Sequence, residues 1–147
     1  MTRLFKKTGQ DQSLIFLHIP KAAGTTLHTI IERQYEPAVI LTIDGTRVQE
    51  SVGEFKKLPE ALKERIRVLK GHLYFGLHEF LPRPSTYITI LRDPVDCVIS
   101  NYYYVLRTPS HYLHHEIRSQ GMSLRDYLRS EMNPQLDNAQ RRLLSGV

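Results

Sequence analysis

Short apolar runs and helical apolar stripes take turns along the chain as far as Leu91, and beyond it only helical stripes remain. Leu14-Ile15-Phe16-Leu17 is a continuous apolar run approached by polar Asp11-Gln12-Ser13, the pattern of a strand buried on both faces. Leu27, Ile30 and Ile31 then recur at helical spacing, and Glu36-Pro37 ends that helix. Val39–Ile43 reads as a second strand closed by an Asp44-Gly45 turn, and Val48, Val52 and Phe55 mark a helix. Pro59 starts another helix through Arg65, while Arg67–Lys70 and Tyr87–Leu91 are the third and fourth strands. Strands alternating with helices predict an α/β fold around a parallel sheet.

The remainder is helical. Asp93 before Pro94 is a helix start, capped and with proline in the first turn, for a segment running to about Leu106. Ser123-Leu124-Arg125-Asp126 has the form of a capping box, and Asn138 to Leu144 supplies a last helix. No repeat or linker divides the chain, and 147 residues suit one domain, since domains most often hold about 100–150. The expectation is a single domain over residues 1–147.

Composition narrows this little. Hydrophobic residues at 41% and charged residues at 24% fit a globular chain, and no apolar run approaches the roughly 20 residues of a membrane span. The basic residues in positions 1–7 precede no apolar stretch, so they do not read as a signal peptide, and a cytoplasmic location is expected. The single cysteine, Cys97, has no partner for an internal disulfide. A net charge of +5 favours anionic partners, with nucleic acid, nucleotide and sulfated glycan all open on that ground alone.

Chemistry concentrates in two motifs. His18-Ile19-Pro20-Lys21-Ala22-Ala23-Gly24-Thr25-Thr26-Leu27 joins the first strand to the first helix. Such a turn presents free backbone N–H groups and the positive end of the helix dipole to an anion. Gly24 allows close backbone approach, Thr25 and Thr26 add hydroxyls, and Lys21 is the one formal charge. The motif departs from the G-x-x-x-x-G-K-[ST] loop of nucleotide triphosphatases: no glycine stands at the position of the first one, and Thr25 replaces the lysine. That argues against a kinase or triphosphatase with a magnesium-triphosphate site, a reading kept as a distant alternative. The second motif is Arg92-Asp93-Pro94-Val95-Asp96-Cys97-Val98-Ile99-Ser100-Asn101-Tyr102-Tyr103. Ser100 lies about two turns beyond Asp93 on the same helix face, so Arg92 and Ser100 can grip one phosphate unless Arg92 is spent on a carboxylate.

Together the motifs resemble the PAPS-dependent sulfotransferases, carbohydrate O-sulfotransferases related to the uronyl and heparan 2-O-sulfotransferases above all. The resemblance covers roughly Leu14 to Tyr104. It is weaker to the small-molecule enzymes, whose loop commonly ends in Trp, a residue this chain lacks. The resemblance implies a P-loop-like three-layer fold with a central parallel sheet and a helical C-terminal part. It implies PAPS as cofactor, its 5′-phosphosulfate on Lys21, Ala22, Ala23, Gly24, Thr25 and Thr26, and its 3′-phosphate on Arg92 and Ser100. His72, in Gly71-His72-Leu73-Tyr74-Phe75-Gly76, matches the segment that carries the catalytic base in related enzymes, and imidazole suits that task near neutral pH. His78 is a second choice. Lys21 would neutralise charge growing at the leaving group. The implied partner is a carbohydrate or other hydroxyl-bearing acceptor, not a nucleic acid.

No metal is required. His111, His114 and His115 have helical spacing but no supporting carboxylate motif. Two departures from the family pattern stand out: Cys97 occupies a position where relatives often carry Arg, and the chain is short, so it is expected to lack the family's C-terminal portion. The alternative that follows is a noncatalytic remnant that binds PAPS or its product.

Overall fold

The computed structural model describes residues 12–133 and 136–146, so the basic stretch 1–7 and Asp11 lie outside it. The elements are β1 (Ser13–Leu17), α1 (Gly24–Gln34), β2 (Ile40–Ile43), α2 (Val48–Lys56), α3 (Glu60–Lys63), β3 (Val68–Gly71) and β4 (Ser85–Ile88), then α4 (Pro94–Arg107), α5 (His114–Ser119), α6 (Leu124–Arg129) and α7 (Ala139–Ser145). The strands form one parallel sheet in the order β2-β3-β1-β4. The α/β class, the parallel sheet and the helical second half are therefore as the sequence pattern predicts.

β1 is buried along its whole length because both faces are covered, and its side chains alternate between two cores. Ile15 and Leu17 pack with Val52 and Phe55 of α2, whereas Leu14 and Phe16 pack with Ile31 of α1. A third cluster of Tyr102, Val105, Leu113, Ile117 and Tyr127 ties α4, α5 and α6 together. Local signals start these helices. Asp93 accepts from the N–H groups of Val95 and Asp96, and Ser123 and Asp126 complete a reciprocal capping box at α6.

Boundaries shift where tertiary pairing overrides pattern. The run Tyr87–Leu91 is extended only to Ile88, and the strand instead begins at Ser85. β4 pairs with β1 from Ser13↔Ser85 to Phe16↔Ile88, and β1 ends at Leu17, so the ladder has nothing further to pair with. The hydroxyl of Thr89 donates to the Leu17 carbonyl at 2.8 Å in its place. Val39 falls in a single 3-10 turn, Pro37–Val39, ahead of β2, and the helix expected from Pro59 to Arg65 contracts to Glu60–Lys63.

This topology positions the site. β1 lies between β3 and β4, and Leu17 is level with Gly71. The segments leaving the three strands are His18–Ala23, His72 and Thr89–Arg92, and they meet at the C-terminal edge of the sheet, where ligand sites of open parallel sheets form.

Candidate active site

The turn after β1 is built from alternating backbone hands. Lys21 and Ala23 adopt left-handed conformations, φ 64° and 60°, although neither is glycine. Single residues held so cost on the order of 1–3 kcal/mol each and persist where the surroundings dictate them. The alternation turns successive N–H groups to one side, as in anion-binding nests. Ala23 caps α1 without a side-chain hydrogen bond, so the first-turn N–H groups remain available. A Cβ at Gly24 would collide with the His18 imidazole, which is why glycine stands there.

These elements wall a cavity of about 1130 Å³ shared by Lys21, Ala23, Gly24, Thr25, His72, Arg92 and Ser100. Lys56 and Arg142 add positive charge, and no acidic residue belongs to the wall among the described residues. Lys21 holds its ammonium 3.9 Å from the centre of the Tyr104 ring. Burial pushes the Lys21 pKa down, with Arg107 and Arg92 adding repulsion, so an incoming anion would relieve a real electrostatic cost.

Arg92 leaves β4 pointing back across the turn. Its Nη1 donates to the Lys21 carbonyl at 3.3 Å, and its Nη2 lies 3.6 Å from Asp96. That ion pair is exposed on both sides, and pairs of this kind contribute about 0–1 kcal/mol, so it does not lock the guanidinium away from a ligand. The backbone is held more firmly. Gln140 of α7 accepts from Arg92 N–H at 3.2 Å and donates to Arg92 C=O at 2.8 Å.

His72 is half-buried, with Nδ1 3.1 Å from the His18 carbonyl. A carbonyl only accepts, so Nδ1 carries the proton and Nε2 keeps its lone pair. Burial lowers the His72 pKa, partly opposed by that hydrogen bond, leaving a neutral imidazole at pH 7. A Cβ at Gly45 would strike the ring, so the turn after β2 also shapes its seat.

Of the remaining sequence candidates, Ala22 is 1% exposed and lies beneath the turn rather than on the wall. Thr26 is exposed and also off the wall, leaving its first-turn N–H as its part. His78 is engaged with Tyr87, its Nδ1 3.2 Å from the phenol oxygen, and does not reach the cavity. His111, His114 and His115 do not share a helix: α5 begins at His114, whose Nδ1 lies 2.8 Å from the Val105 carbonyl. No group of metal-ligating side chains occurs among the described residues. Cys97 is partly buried, and its thiol pKa is raised by that burial.

A chain of side chains behind the wall has no counterpart in the sequence reading. His18 Nδ1 lies 3.0 Å from His28 Nε2, His28 Nδ1 lies 3.0 Å from Lys70 Nζ, and Lys70 donates to Glu32 at 2.7 Å. Two signals pointed to it: a lysine inside an apolar strand, and His28 and Glu32 one helical turn apart. Gln140 carried no such signal, since only the fold brings α7 to this edge, whereas the sequence expects one ring of Tyr102-Tyr103-Tyr104 at the cofactor edge, and Tyr104 is the one on the wall.

Comparison with known proteins places the chain in a family. A profile described as "Sulfotransferase family" matches residues 7–143. A protein-tyrosine sulfotransferase of Arabidopsis thaliana is 30% identical over 105 residues, which cover 69% of this chain and 19% of that protein. The chain thus spans about a fifth of the length of this curated relative. No solved structure gives a significant match.

Proposed function

The chain belongs to the sulfotransferase family, and we propose that it is a PAPS-dependent O-sulfotransferase domain whose reaction takes place in the cavity above the β1 turn. The observation that carries this is the meeting of an imidazole held at Nδ1 by the His18 carbonyl with four cationic side chains, and no acidic one among the described residues, on the wall of one cavity. The residues fit a nucleotide bearing phosphates at both ends. Ala23 leaves the first-turn N–H groups of α1 without a side-chain cap, and Lys21 and Arg92 stand on the same wall, tied by the Arg92 bond to the Lys21 carbonyl.

When bound, PAPS supplies a sulfuryl group on an activated oxygen and leaves as 3′,5′-ADP. In the proposed roles, the nest, Thr25 and the α1 N-terminus hold the 5′ end, and Arg92 and Ser100 hold the 3′-phosphate. Lys21 releases Tyr104 to meet the charge growing on the leaving group, a task suited to a mobile point charge. His72 takes the acceptor hydroxyl proton at Nε2, while its Nδ1–H stays on the His18 carbonyl and fixes the ring. Completeness of this set in one cavity favours a catalyst over a noncatalytic remnant.

The acceptor is a hydroxyl. The motifs favour a carbohydrate, and the name of the plant relative brings a protein tyrosine as the second reading. Calorimetry with 3′,5′-ADP, ADP and magnesium-ATP tests the cofactor: preference for the 3′-phosphorylated ligand is expected, and magnesium-dependent ATP binding without it would sink the proposal. Transfer of labelled sulfate from PAPS to a uronate-containing glycan or to a tyrosine peptide then separates the two acceptors.

A further inference from the structure

Hydrogen-bond direction can be followed through the part-buried chain behind the cavity. The Lys70 ammonium can only donate, so His28 Nδ1, 3.0 Å away, must accept. His28 then carries its proton on Nε2 and donates it to His18 Nδ1, also at 3.0 Å. His18 is left with its proton on Nε2. That atom has no partner among the described residues, and His18 stands on the cavity wall with its Cδ2–Nε2 edge against Gly24.

The arrangement is costly for a structural histidine. Lys70 is 4% exposed in the middle of the sheet, and its charge is held by Glu32 and His28. Apolar side chains of similar volume would fill such a position at least as stably. The chain instead fixes one proton on one nitrogen. Two histidine rings stand stacked at 4.5 Å, His18 offering an N–H donor and His72 a lone pair, next to the glycine of the anion turn. A group passing from the turn to a hydroxyl on His72 must cross the space beside His18.

We propose that His18 is a second catalytic histidine, donating Nε2–H to an oxygen of the transferring sulfuryl group, with His28 and Lys70 as positioning residues that hold it in that tautomer. The inference rests on the PAPS reading of the cavity. Burial, reinforced by His72, His28 and Lys70, pushes the His18 pKa down to about 4, so the donor is a neutral imidazole at working pH and keeps its proton throughout.

Nitrogen NMR of the full chain labelled at histidine tests the first part without ligand or turnover. His18 is expected to carry its proton on Nε2, and Lys70→Met to give a mixture of tautomers. A wild-type His18 protonated on Nδ1 overturns the inference. Calorimetry tests the second part. His18→Phe keeps a ring between Phe16 and His72 but removes the donor. It is expected to weaken PAPS about 10- to 100-fold, the range for a hydrogen bond to a charged group. Binding of 3′,5′-ADP, which lacks the sulfuryl group, should fall by clearly less than that of PAPS, and His18→Gln, which returns an N–H, should recover part of the PAPS affinity. Equal weakening of both ligands, or no change in either, overturns the role of His18 alone. A wild-type chain that binds neither ligand overturns the cofactor reading and this inference with it.

Discussion

Replacing Gly24 by alanine adds one methyl group at the point where the anion turn meets the histidine cluster. The new Cβ would overlap the His18 ring edge. That ring cannot withdraw, because Phe16 and His72 stack near it at 5.6 and 4.5 Å and His28 meets it edge-on at 4.8 Å. Forcing a methyl into packing this tight costs roughly 1–3 kcal/mol. Gly24 is otherwise the first residue of α1, where alanine would be favoured over glycine by up to about 1 kcal/mol. The single variant should therefore lose about 1–2 kcal/mol in urea unfolding, the balance of those two effects. In a His18→Ala background the obstacle is gone and the same substitution should become neutral or stabilising. The double-mutant cycle is expected to give a coupling of about 1–3 kcal/mol. Additive effects, or a Gly24→Ala variant as stable as the parent and equally able to bind 3′,5′-ADP, would refute the packing argument and the claim that this turn approaches its ligand by backbone.

Arg92→Ala should weaken 3′,5′-ADP by about 1.5–3 kcal/mol and plain ADP by less, measured by calorimetry; equal losses would remove Arg92 from the 3′-phosphate. The pKa values of His18, His28 and His72 all lie below the ordinary 6.5, so over that range the unfolded chain binds more protons than the folded one. Stability should be fully present above pH 6.5 and fall as pH drops toward 4, read from urea midpoints; a flat profile would contradict the buried neutral cluster. Turnover should lose activity on the acid side with an inflection below 6.5, because His72 must be unprotonated to act as base. Tyr127→Phe removes the bond its hydroxyl donates to Asn101 at 2.7 Å and the one it accepts from Asn133, leaving those two amides bonded to each other at 3.0 Å, so a loss of about 1–3 kcal/mol is expected on unfolding.

Much of the fold and part of the site were written in local pattern. The buried run Leu14–Leu17, the Asp93-Pro94 start and the Ser123 capping box depend on neighbours in sequence, and each element appears where the pattern puts it. The two motifs were legible for the same reason, since an anion turn is a strand end, a glycine and a helix start in succession. The end of β4 was not, because a strand stops where its partner stops, and β1 is distant in sequence.

The sequence by itself determined an α/β chain with a glycine-bearing turn after β1, an Arg-led helix after β4 and a histidine after β3. Only the tertiary structure decided that these meet at one edge, that Gln140 holds Arg92 from α7, and that Lys70, His28 and His18 form a directed line of hydrogen bonds. Hydrogen bonding between side chains depends on separations of about 3 Å, which pattern along a chain does not encode and strand order does.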